Sequence, residues 1–241
     1  MLYKTNGMVL RAIPYNDKYA IIYMYTEAFG RVSYLVGRAR GRKSALTKAL
    51  FIPLSVLEME VEHLNKRELQ RIKEARVSFP VGAIGSDPVK NVLALFLSEV
   101  LFRVVKDTEP DVRLFHYLAD SVRLLERVDS GVANFHIVFL LGLLRYLGIF
   151  PNVEYIREGA YFDLLNGVFT DGQPTHRHYL DPAESAFFAR LLRIHFENMS
   201  LFRFSRQERM AIIHRILEYY RLHLPDFPEI KSLSVLQSLF D

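Results

Sequence analysis

The hydrophobic period changes once along this chain, near Pro80, and that change restricts the fold more than any other feature. Before it, β-branched and aromatic residues dominate residues 3–13, 19–26, 31–37, 51–61 and 68–77, a pattern that predicts five strands. Turn signals separate them: Pro14-Tyr15-Asn16-Asp17, Ala28-Phe29-Gly30, the stretch 38–47, and His63-Leu64-Asn65-Lys66. A short five-stranded domain of this kind is what an OB-fold barrel requires.

After Pro80 the spacing becomes helical. Ser86-Asp87-Pro88 places a capping side chain before proline at the first helical position, and Leu93, Phe96, Leu97, Val100, Leu101 and Val104 follow at intervals of three and four. Asp111 opens a second helix, and a third, over about 133–147, is apolar around most of its circumference, which places it at the centre of a helical bundle. Gly148 and Pro151 end it. Asn166-Gly167 then marks a hairpin, Asp181-Pro182 caps a helix running to about Phe196, and Ser205-Arg206-Gln207-Glu208 is a capping box for a helix ending near His223. Ser234 to Phe240 has the makings of a short docked helix. The fold class is α+β and multidomain: an N-terminal five-stranded OB-fold β-barrel over 1–80, then a mainly α-helical domain over 81–241 with a small β-hairpin insertion at about 152–179.

Half of the 241 residues are apolar, enough for a sizeable core. Cysteine is absent, which removes disulfides, thiolate metal sites and cysteine nucleophiles and fits a reducing compartment; the cytoplasm is expected. Lys4, Asn6 and Arg11 interrupt the first apolar stretch, so no export signal is read there. The most apolar window, 132–150, carries Asn134, His136 and Arg145 and reads as a buried helix rather than a membrane span.

The net charge of +4 is unevenly spread: residues 1–80 hold 14 Lys and Arg against 7 Asp and Glu, and the remainder holds 17 against 20. A basic small domain ahead of a faintly acidic body points to a polyanion for the first and to protein partners for the second. The run Val36-Gly37-Arg38-Ala39-Arg40-Gly41-Arg42-Lys43-Ser44 concentrates Arg38, Arg40, Arg42 and Lys43 within six residues, with glycines that let the backbone approach a ligand. Such a loop neutralises phosphates with salt-dependent, sequence-independent affinity; a solvated basic hairpin is the competing reading. Tyr15, Tyr19, Tyr23, Tyr25, Phe29 and Tyr34 offer stacking surfaces for unpaired bases, against the simpler reading that they pack the barrel. His176-Arg177-His178 offers two metal ligands where a structural zinc needs four. There is no phosphate-binding G-x-x-x-x-G-K-[ST] loop, no H-E-x-x-H and no recognisable carboxylate pair, so no enzyme is read here.

Taken together, Gly7-Met8-Val9-Leu10-Arg11, Thr26-Glu27-Ala28-Phe29-Gly30-Arg31-Val32, Val36-Gly37-Arg38-Ala39-Arg40 with Lys43-Ser44 and Leu46, and Ala49-Leu50-Phe51-Ile52-Pro53-Leu54-Ser55 resemble, in order and spacing, the N-terminal barrel of the RecO family of DNA-repair recombination mediators. The resemblance runs over nearly the whole chain. It implies a bacterial, nucleoid-associated, non-enzymatic mediator that binds single- and double-stranded DNA and anneals complementary strands. It further implies contact with RecR and with the acidic C-terminal tail of the single-stranded-DNA-binding protein, indirect service to the recombinase RecA, and no membrane. Carried over residue by residue, it implies DNA contacts for Arg38, Arg40, Arg42 and Lys43, and for Arg11 and Arg31. Many members of the family insert a four-cysteine zinc module after the central helices; residues 152–179 are cysteine-free here, so neither zinc nor another cofactor is expected. Packing of Tyr161, Phe162, Val168 and Phe169 is the expected substitute for the metal. A protein-binding scaffold whose basic barrel recognises an acidic peptide is the alternative.

Overall fold

The computed structural model describes residues 1–37, 50–106 and 108–239. The chain gathers into two compact units, Met1–Val128 with Glu229–Asp241, and Asp129–Pro228.

In the first unit, β1 (Leu2–Pro14), β2 (Tyr19–Thr26), β3 (Gly30–Gly37), β4 (Val56–Glu62) and β5 (Leu69–Val77) close into a barrel of order β1-β2-β3-β5-β4, so the expected five-stranded barrel is what forms. A short parallel pairing of β3 with β5, Ser33 opposite Leu69 and Tyr34 opposite Gln70, shuts it. Alternation sends Val9, Ile22, Met24, Val32, Tyr34, Leu57, Met59 and Val61 into the interior. The fourth strand begins later than the apolar run suggests. Pro53 has no N–H to pair, and Leu54 takes a left-handed φ of 65°. The Leu54 N–H donates to the carbonyl of Val9 and the Val9 N–H to that of Ser55, beside the register shift in β1, and regular pairing starts only at Val56 opposite Met8.

Helices α1 (Gly82–Ser86), α2 (Pro88–Val104) and α3 (Val112–Arg127) follow. Asp87 and Asp111 cap α2 and α3 as expected, each carboxylate accepting two backbone N–H groups of the first turn. The short helix α7 (Leu233–Leu239) belongs to the same unit: the Glu99 carboxylate of α2 accepts the N–H groups of Lys231 and Ser232 and the Ser232 hydroxyl.

The second unit is built on α4 (Phe135–Tyr146), which is buried around most of its surface, with α5 (Pro182–Leu191) and α6 (Arg206–His223). Both expected caps are present, and Ser205 with Glu208 forms the full reciprocal box. The helix opened by Asp181-Pro182 stops at Leu191 rather than near Phe196, because bonds over three residues tighten the chain at Arg193 and Ile194 and the Asn198 side chain takes the His195 N–H. The hairpin gains a third strand: β6 (Tyr161–Asp163), β7 (Val168–Thr170) and β8 (Tyr179–Leu180) form a sheet of order β7-β6-β8. Its turn uses Leu164 to Gly167, with Asp163 Oδ1 accepting the N–H groups of Leu165 and Asn166. The Phe162 ring lies 4.8 Å from that of Phe169 and 4.7 Å from that of Phe188, an aromatic cluster that spans the sheet and α5.

Candidate nucleic-acid interface

The outer face of the barrel is set by the same alternation that fills its interior. Along β2, Ala20, Ile22 and Met24 point inward, leaving Tyr19, Ile21, Tyr23 and Tyr25 outward. The register places Arg11 opposite Tyr23 and Arg31 opposite Tyr25, so both arginines share that outer face. An OB barrel ordinarily offers its strand 2–3 face to nucleic acid, and here part of that face is covered. Tyr23 meets the Phe102 ring of α2 edge-on, with centroids 5.2 Å apart, and the Tyr25 hydroxyl accepts the Asp111 N–H at 3.1 Å.

The sequence motif from Thr26 to Arg31 makes this attachment. The Thr26 hydroxyl donates to the Gly30 carbonyl and accepts the Phe29 N–H, folding a tight turn in which Gly30 takes φ of 58°. Glu27 accepts from the Asn6 amide at 2.8 Å and lies 3.1 Å from His116 Nε2 on α3. Arg31 Nη1 donates to the carbonyls of Phe102 and Val105, the freed carbonyl end of α2, at 3.1 and 2.7 Å. Burial draws the Arg31 guanidinium down to about 10, an effect the nearby Tyr23 opposes, so it remains charged at neutral pH.

The opposite end of β2 stays open. Asn16 Oδ1 accepts the N–H groups of Lys18 and Tyr19, a side-chain turn that holds the β1–β2 connection. Tyr15 and Tyr19 are 59% and 41% exposed there. Tyr19 pairs with Gly37, the last described residue before the basic stretch. Arg38, Arg40, Arg42 and Lys43 themselves lie outside the described residues. On the β1–β4–β5 side, Glu27, Glu58, Glu60 and Glu74, with Lys4 and Arg76, line a cleft of about 710 Å³, a poor surface for a polyanion.

Two family models match the chain, Recombination protein O N terminal over residues 1–80 and Recombination protein O C terminal over residues 85–233. A DNA repair protein RecO from Azobacteroides pseudotrichonymphae genomovar. CFP2 is 44% identical over 241 residues, all of both chains. The chain belongs to the RecO family. A second relative of that name, from Phocaeicola vulgatus, is 44% identical over 240 residues, and one from Flavobacterium psychrophilum 33% over 242, again with full coverage of both chains.

The RecO-type barrel separates the aromatic candidates by burial. Tyr34 is inside, where burial raises its hydroxyl, and Phe29 stacks on His63 with Tyr3 against its edge. Tyr23 and Tyr25 carry helices, and Tyr15 and Tyr19 remain open to a ligand. Lys18 and Phe102 belong to this surface and were not singled out from sequence: a lone lysine in a turn and one phenylalanine in an apolar helix carry no signal until the register is known. Elsewhere, His176 and His178 face different carboxylates, Asp163 at 3.3 Å and Glu218 at 3.2 Å. Among the described residues no group of three or more His, Asp or Glu gathers as a metal site, and no helix is long and apolar enough to cross a membrane.

Proposed function

We propose that this chain is a non-enzymatic recombination mediator in bacterial DNA repair, acting in the cytoplasm at the nucleoid. The barrel, residues 1–80, grips the sugar-phosphate backbone of single- and double-stranded DNA through Arg38, Arg40, Arg42 and Lys43, and through Arg11 and Arg31. The helical remainder, 81–241, holds protein partners: RecR and the acidic C-terminal tail of the single-stranded-DNA-binding protein. Bound in this way, complementary strands are annealed, and coated strands are opened to RecA. Family membership supports the mediator role, and one observation supports the DNA path: Gly37, the residue that precedes the four-cation stretch in sequence, pairs with the exposed Tyr19.

The test replaces Arg38, Arg40 and Arg42 together by Ala and follows binding of unrelated single and double strands across a salt series. Affinity is expected to fall about equally for all sequences, and the slope of log K against log salt to flatten by roughly 0.7 to 0.9 for each phosphate no longer neutralised. Unchanged affinity at fixed salt sinks the proposed grip.

A further inference from the structure

We infer that a further phosphate-binding point lies around the ring of Phe102, formed by Arg11 of β1, Arg31 of β3 and Arg103 of α2, and that it carries the DNA path off the barrel onto this helix. The inference rests on the DNA-binding role proposed for the barrel and extends it to a helical residue.

The guanidinium carbons of Arg11, Arg31 and Arg103 lie 5.0, 4.4 and 5.4 Å from the centre of the Phe102 ring. The electron-rich faces of the ring attract each cation, yet three like charges gathered round one ring repel one another. An anion seated among them relieves that repulsion. No carboxylate of the described residues forms an ion pair with any of the three. Glu99, one turn before Arg103, feels its charge, but the Glu99 oxygens are taken by Lys231 and Ser232.

The three arginines divide the work. Arg31 commits Nη1 to the carbonyls of Phe102 and Val105 and so fixes the ring and the end of α2. Arg11 is exposed and Arg103 half-buried, and both present donors from a site already preorganised. A guanidinium fork matches the paired oxygens of a phosphodiester. The position suits a continuous strand: the cross-strand partner of Gly37 is Tyr19 and that of Arg11 is Tyr23, four residues apart on β2 and on the same face, or about 13 Å at the rise of a strand. One backbone running along outer β2 therefore meets Gly37 and Tyr19 at one end and the Phe102 cluster at the other.

The experiment measures binding of a labelled oligo-dT strand to the full chain across a salt series, for wild type, R11Q, R103Q, R11Q/R103Q and R103K, with R190Q on the exposed end of α5 as a charge control. The expected result is a several-fold loss at fixed salt for each single glutamine variant. The salt slope should fall by roughly 0.7 per arginine removed, stay at the wild-type value in R103K, and not change beyond the small general effect of one charge in R190Q. Thermal melts accompany each variant, and R103K separates the effect of charge from that of packing. An R11Q/R103Q protein that melts like wild type and keeps the wild-type slope overturns this site, even where the Arg38, Arg40, Arg42 variant is defective. A wild type that binds no strand overturns the reading on which both rest.

Discussion

The guanidinium of Arg31 donates to the carbonyl of Val105 at 2.7 Å, from the second residue of β3 to the C-cap of α2. A single cation thereby closes the negative end of a helix dipole and fixes that helix against a barrel strand. Arg31→Ala leaves two carbonyls without their charged donor and removes the stack on Phe102. It should lower stability by about 2 kcal/mol, seen as a lower urea midpoint at unchanged slope. Arg31→Lys should recover less than half, since an ammonium on a single stem does not reproduce the planar fork. Wild-type stability in Arg31→Ala would show that the tether carries nothing.

Tyr15 and Tyr19 are the open aromatic surfaces at the end of β2 where Tyr19 pairs with Gly37. Replacing either by Ala should weaken single-strand binding by about 1 kcal/mol or more, with little change in the salt slope, because stacking releases no counterions. Tyr→Phe at the same positions keeps the ring and should keep the affinity. A flattened slope in the alanine variants would mean the turn acts through charge, with Lys18 as its source.

Gly167 and Gly148 share a left-handed backbone, φ of 69° and 70°, but not their surroundings. A Cβ on Gly167 would stand 2.6 Å from the Tyr219 hydroxyl, which itself donates to the Ile149 carbonyl, whereas a Cβ on Gly148 meets nothing within 4 Å. Gly148→Ala should therefore cost only the conformational strain, about 1 kcal/mol. Gly167→Ala adds the displacement of Tyr219 and should cost about 2 to 3 kcal/mol. Thermal melts of the two variants side by side check the difference; equal losses would leave the Tyr219 contact without weight.

His136 lies buried in α4, where desolvation first and the charge of Arg209 second hold its imidazole down to about 3. The folded chain keeps this group neutral, while the unfolded chain protonates it below about 6.5. Stability from this residue is thus complete above about 6.5 and declines as the pH falls toward 3, at up to about 1.4 kcal/mol per pH unit. Urea midpoints at about pH 7.5 and about pH 5 should show that decline in the wild type and a flatter response in His136→Gln. An equal acid loss in the variant would assign it to other groups.

The caps at Asp87, Asp111, Asp181 and Ser205, the glycine turn at Gly167 and the change from strand to helix period were all legible in the sequence, because each is satisfied by partners within a few residues. Element ends were less so: β4 begins at Val56 and not at Phe51 because its pairing waits on the approach of Leu54 to Val9, a contact between distant parts of the chain. The site divides in the same way. Charge density alone drew attention to Arg38–Lys43, and family motifs to Arg11 and Arg31. Strand alternation puts Tyr23 and Tyr25 on one face, but it did not say that α2 and Asp111 would cover it and leave Tyr19 open. Nor did it say that Arg31 would be taken up by a helix end, or that Phe102 would gather three arginines. A strand pattern has two sides and carries no label for which one another element will occupy; only the closing of the barrel and the docking of α2 decide that.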